Sequence, residues 1–122
     1  MENKHILSSF DDDLKKLNDN LLKLGNGALN NFDNCINNFG TQDLDEIEKV
    51  INGDIVLDEL DDKVQKIGFE IIALRAPQAA DLRRIIVALK IATIFERIGD
   101  YSRNISNRTK LLIELNYSDL PG

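Results

Sequence analysis

The sequence predicts an all-α fold, an up-down-up antiparallel three-helix bundle, and three observations carry that expectation. Apolar residues recur at three- and four-residue steps along almost the whole chain. Strand-like alternation is absent. The only prolines, Pro77 and Pro121, leave long uninterrupted stretches. At 122 residues the chain is read as one domain, 1–122, long enough to close one core.

The first helix is expected over about 9–39. Phe10, Leu14, Leu17, Leu21, Leu24, Ala28, Phe32, Cys35 or Ile36, and Phe39 fall on one helical stripe. Ser9 is placed as its N-cap, with Asp11, Asp12 and Asp13 suited to the positive end of the dipole. Gly25 and Gly27 mark a candidate kink. Gly40 is expected to close this helix and Thr41 to cap the next, over about 42–75. There Leu57, Leu60, Val64, Ile67, Ile71 and Leu74 form a bundle-type seam, with Asn52-Gly53-Asp54 as the weak point.

Ala76-Pro77 ends the second helix, because the residue before proline disfavours helical ψ. Pro77 is placed in the first turn of a third helix over about 77–114, followed by a fraying tail. On a wheel, Val87, Ile91, Ile94, Ile98, Ile105 and Leu112 share a face that is expected to be core. Short connections make neighbouring helices antiparallel.

Composition narrows the function. Charged residues make up 30% and the net charge is −6, so a nucleic-acid partner is disfavoured. One cysteine, Cys35, and one histidine, His5, make an intrachain disulfide impossible and a zinc–thiolate site or Cys–His nucleophile improbable. Cys35 reads as a small core residue, and His5 as an exposed one. The N-terminus MENKHILSSFDDD lacks the apolar run of a signal peptide, and no run is long enough to span a bilayer. A cytoplasmic location is expected.

The third helix also carries a polar line. Its face begins with Leu82, Ile85, Ile86 and Leu89 and continues in phase as Thr93, Glu96, Asp100, Asn104 and Asn107. Glu96, Asp100 and Asn104 stack at i, i+4 and i+8, about 6 Å apart per step. Like charges one turn apart are unfavourable, so the pair calls for a cation or an arginine. The second helix repeats the pattern: Leu44, Ile47 and Ile51 continue as Asp54, Asp58 and Asp61. Two helices offering carboxylates in adjacent turns can converge on a hard cation, and oxygen-only ligands favour Mg²⁺, Mn²⁺, Ca²⁺ or iron over copper or zinc. Solvated acidic faces are common, and that bland alternative stays open. Arg83, Lys90 and Arg97 recur at seven-residue intervals, with Arg108 beyond, along an adjacent edge. They form either a solvated edge or an anion or partner contact.

At these residues the chain resembles the PhoU family. The segment LRAPQAADLR from Leu74 to Arg83 carries the likeness, with ALKI from Ala88 to Ile91 and ERIGD from Glu96 to Asp100, followed by Asn104-Ile105. The opening HILSSFDDDL from His5 to Leu14 and the stretch from Asn52 to Asp58 match as well. The resemblance implies an all-helical protein of tandem three-helix repeats with Glu/Asp-x-x-x-Asp metal motifs. In this chain those motifs fall on Asp54 and Asp58 and on Glu96 and Asp100, with Asn104 accompanying the second pair. It also implies divalent or trivalent metal ions, Mg, Mn or Fe. The implied role is negative regulation of phosphate uptake, coupling a phosphate ABC transporter to a sensor histidine kinase, without enzymatic activity. The membrane would be met only peripherally, through those partners.

The chain holds a single such repeat, so the face that meets a second repeat is left open and a homodimer is expected. Two other functions compete with the regulatory one. A metal-dependent hydrolase or oxidase lacks an obvious general base, phosphate loop or nucleophile motif. A purely structural helical module would leave the carboxylates as surface.

Overall fold

The computed structural model describes residues 2–119, with side chains over 9–116, and folds them into three helices. These are α1 (Glu2–Thr41), α2 (Leu44–Arg75) and α3 (Ala79–Asp119). Each packs against both of the others, giving the all-α three-helix bundle that the periodicity predicts.

The helix ends differ from the sequence expectation in instructive ways. Ser9 lies inside α1, which starts at Glu2, because one interior serine costs a helix only a few tenths of a kcal/mol. Gly25 and Gly27 leave α1 unbroken, as Gly53 does α2. Gly40 is not the stop: α1 ends at Thr41, and Gln42 takes the left-handed φ of 57°. Asp43, rather than Thr41, caps α2, its carboxylate accepting from the Asp45 and Glu46 amides at 3.0 and 3.3 Å.

Ala76 closes α2 at φ 43°. Pro77 falls in the connection rather than in the first turn of α3, where the Gln78 carbonyl accepts from the Leu82 amide at 2.8 Å. The last helix continues past Glu114 to Asp119, so Asn116 does not begin a frayed tail; Leu120, Pro121 and Gly122 lie outside the described residues, as does the side chain of His5.

Leu17, Leu24 and Ala28 from α1 close the core with Leu57, Val64, Ile67 and Ile71 from α2 and Ile85, Ala88, Leu89 and Ala92 from α3. Each fully buried leucine or isoleucine contributes about 1.5–3 kcal/mol. Cys35 is buried, as expected, and burial raises its thiol pKa. Leu74, by contrast, leaves the α2 seam and is exposed, as are Phe32 and Phe39 at the end of the α1 stripe.

The expected core face of α3 is corrected. Val87 and Ile94 are about half exposed, Leu112 is exposed, and Ile91, Ile98 and Ile105 are only partly buried. The buried line instead starts from Ile85 and Leu89 and continues through Gly99, Ser102, Ser106, Thr109 and Ile113. Ser102 and Thr109 donate to the carbonyls of Ile98 and Ile105 at 2.9 and 2.8 Å. With their hydroxyls satisfied inside the helix they pack as small residues, and small residues let helices close. No helix among the described residues is long and apolar enough to cross a membrane.

Candidate metal centre

α2 and α3 run antiparallel, so their two acidic lines meet. Gly99 permits the close approach: a Cβ there would lie 2.9 Å from Leu57 Cδ1 and 3.3 Å from Asp54 Oδ1. The seam thus closes with Asp54 almost wholly buried, at 3% exposure.

Asp54, Asp58 and Asp100 each offer one carboxylate oxygen within 4.8 Å of the others. Two unit charges at such a spacing repel by about 3 kcal/mol at an effective dielectric of about 20. Asp54 Oδ2 accepts from Arg103 Nη1 at 2.5 Å, and Arg103 Nη2 lies 3.5 Å from Asp100 Oδ1. Asp54 Oδ1 is buried without a hydrogen-bond partner among the described residues. One guanidinium therefore pairs with two of the three aspartates, Asp54 and Asp100, and leaves a buried acceptor open.

The electrostatics record this excess of negative charge. Glu96, one turn before Asp100, has its pKa raised to about 7. Burial is the largest cause; a hydrogen bond to Asp100 and the charges of Asp100, Asp58 and Asp61 add to it. Burial also pushes Asp54 up, and Asp58 reinforces it, while the Arg103 charge works in the opposite direction. Asp61 is raised by burial, with Gln65 Nε2 donating to it at 3.3 Å and pulling the other way.

Of the sequence-predicted site residues, Asp54, Asp58 and Asp100 come together, and Glu96 shares their field. Asn104 is exposed, one turn beyond Asp100. Arg103 was not singled out from the sequence. Its signal was its place three residues after Asp100, where the like-charged line called for an arginine or a cation. A set of hard oxygen donors with an open buried lone pair suits a hard cation such as Mg²⁺, Mn²⁺ or iron.

A PhoU domain model matches residues 21–109. The chain is 33% identical over 108 residues to a phosphate-specific transport system accessory protein PhoU homolog of Rhizobium meliloti, covering 88% of this chain and 46% of that protein. The homolog of the same name from Caulobacter vibrioides is 43% identical over 67 residues, 55% of this chain and 29% of the relative. That of Xylella fastidiosa is 33% identical over 109 residues, with 88% and 44% covered. This chain spans less than half the length of these relatives. A family model that covers most of the bundle, including both acidic lines, shows that the chain belongs to the PhoU family.

Proposed function

We propose that this chain is a cytoplasmic, non-enzymatic accessory of phosphate uptake that couples a phosphate ABC transporter to a sensor histidine kinase. It carries divalent or trivalent metal ions, Mg, Mn or Fe, on Asp54, Asp58, Glu96, Asp100 and Asn104. The transport role is supported by family membership and by relatives named as accessory proteins of the phosphate-specific transport system.

The metal role is supported chiefly by the three converging aspartate oxygens, one of which belongs to a buried residue that also holds an unpartnered acceptor. A cation entering there offsets repulsion that Arg103 compensates only in part. Elemental analysis of the purified chain, beside the double variant Glu96→Ala/Asp100→Ala, tests the site. Equal metal content in the two would remove it. The coupling role is tested by co-purification with the transporter's ATPase subunit and with the kinase, and failure to retain either would refute it.

A further inference from the structure

The last turns of α1, residues 30–41, are built from poor helix formers. Asn30, Asn31, Asn34, Asn37 and Asn38 are joined there by Asp33, Gly40 and Thr41. The stretch holds no alanine, leucine, methionine, glutamate, glutamine, lysine or arginine. Asparagine, aspartate and threonine each favour a helix less than alanine does, and glycine less still. The stretch is helical all the same, so tertiary contacts must hold it.

Those contacts are sparse. Upstream, Leu17, Leu24 and Ala28 join the contiguous apolar core with Val64, Ile71 and Ile85. Within 30–41, Phe32, Ile36 and Phe39 are exposed, and Cys35 is the buried apolar side chain. Against Cys35 α3 presents Ser102, with Ser106 one turn on, where a leucine would bury far more apolar surface. Asn38 is buried too, yet its Nδ2 has no hydrogen-bond partner among the described residues, which costs stability. The ion pairs between helices pass the segment by. Arg75 and Asp13 tie α2 to α1 at the far end, while Arg103–Asp54 and Lys110–Glu48 tie α3 to α2.

We propose that residues 30–41 open as a unit, unfolding and refolding while the rest of the bundle stays closed. The mode is local unfolding rather than a rigid swing, because only Gln42 and Asp43 separate this segment from α2. Gly25 and Gly27 mark where the opening stops. Each packs closely on a neighbouring helix, Gly25 on Phe95 and Gly27 on Leu57, so α1 is held upstream. Cys35 lies well inside Thr41, beyond fraying of the last turn. Asp54, Asp58 and Asp100 belong to α2 and α3 and stay in place, so the opening stands apart from the metal reading. Order in such a low-stability segment can be set by what the bundle binds.

Cys35, the only thiol of the chain, reports the opening. In EDTA, iodoacetamide should label it at a rate nearly independent of urea below the unfolding transition, since local opening exposes little surface. A reference thiol is made by Ala92→Cys with Cys35→Ala, at a position 0% exposed in the apolar core. It should be labelled at least about a hundredfold more slowly, with the full urea dependence of global unfolding. Ile71→Val should speed the reference thiol about two- to tenfold and leave Cys35 unchanged. Asn30→Ala combined with Asn37→Ala should slow Cys35 labelling at least about threefold. Hydrogen exchange is the second measurement and needs no added cysteine: the amides from Asn34 to Asn38 should share one protection level, far below that of Leu24. Equal labelling of the two thiols overturns the proposal, as does a Cys35 rate that follows global unfolding. So does an asparagine double variant without effect, or protection that declines gradually toward Thr41 as in simple fraying.

Discussion

Arg103 bridges the two acidic lines, holding Asp54 across the α2–α3 seam at 2.5 Å and reaching Asp100 on its own helix at 3.5 Å. The two ends of this contact are in different surroundings. Asp54 is 4% exposed at its side chain and Arg103 is 38% exposed. The guanidinium thus works at the water boundary, on a carboxylate that has lost its water. It occupies the position a cation would take electrostatically, while leaving Asp54 Oδ1 open.

Replacing it should separate the two roles of that charge. Arg103→Met leaves Asp54 buried without its ion pair. We expect a loss of about 1–2 kcal/mol without metal, below the about 3–5 kcal/mol of a fully buried pair, because Arg103 is part-solvated. In the variant a metal ion becomes the main counter-charge for the aspartates. The thermal shift on adding Mn²⁺ should therefore exceed that of the parent, and differential scanning fluorimetry with and without EDTA reads both effects. An equal or smaller shift would show that metal and Arg103 do not serve the same carboxylates.

The raised pKa of Glu96 gives a pH dependence with a definite sign. Its value of about 7 in the fold lies above the ordinary 4.5, so between these values the folded state binds more protons than the unfolded one. Stability is then present at low pH and falls as pH rises from 4.5 to about 7. Burial pushes Asp54 and Asp61 the same way. In EDTA, urea midpoints should decline across this window, and Glu96→Gln should flatten the decline. An unchanged slope in the variant would assign the dependence to other groups.

Asp58 offers a complementary test, since its charge raises both Asp54 and Glu96. Asp58→Asn should stabilise the metal-free protein near neutral pH by removing repulsion. It should also reduce the gain on metal addition, which for the parent is about 2.7 kcal/mol at a hundred times Kd. Melting curves in EDTA and in excess Mn²⁺ should therefore move in opposite directions relative to the parent. If both rise, Asp58 contributes repulsion and no ligation.

Periodicity revealed the three helices, because it reflects how often a residue returns to one face. It misled on which face of α3 is inside. Hydropathy favoured the line of Val87, Ile94 and Leu112, yet the bundle closes on Gly99, Ser102, Ser106 and Thr109, where size decides how near two backbones come. The cap at Asp43 and the left-handed Gln42 and Ala76 were hidden for a related reason: several residues in each connection could serve, and tertiary geometry chose among them. The acidic lines of the candidate site were legible from four-residue spacing. Arg103 was not, since a basic residue three positions after an aspartate has many ordinary uses until the partner helix is placed.

Gly99 tests how far the candidate site depends on helix approach. A Cβ added there meets Leu57 Cδ1 at 2.9 Å and Asp54 Oδ1 at 3.3 Å, so α2 must give way locally. Overpacking of this kind costs about 1–3 kcal/mol, set against a gain of up to about 1 kcal/mol from replacing a helical glycine. Gly99→Ala should therefore destabilise the protein and move Asp54 and Asp58 away from Asp100, weakening Mn²⁺ binding. Gly40→Ala is the matched control, because nothing lies within 4 Å of a Cβ at that position. It should stabilise by about 0.5–1 kcal/mol with metal binding unchanged. Urea denaturation and Mn²⁺ titration of both variants make the comparison. If Gly99→Ala binds Mn²⁺ as tightly as Gly40→Ala, the aspartates do not need the tight seam to act together.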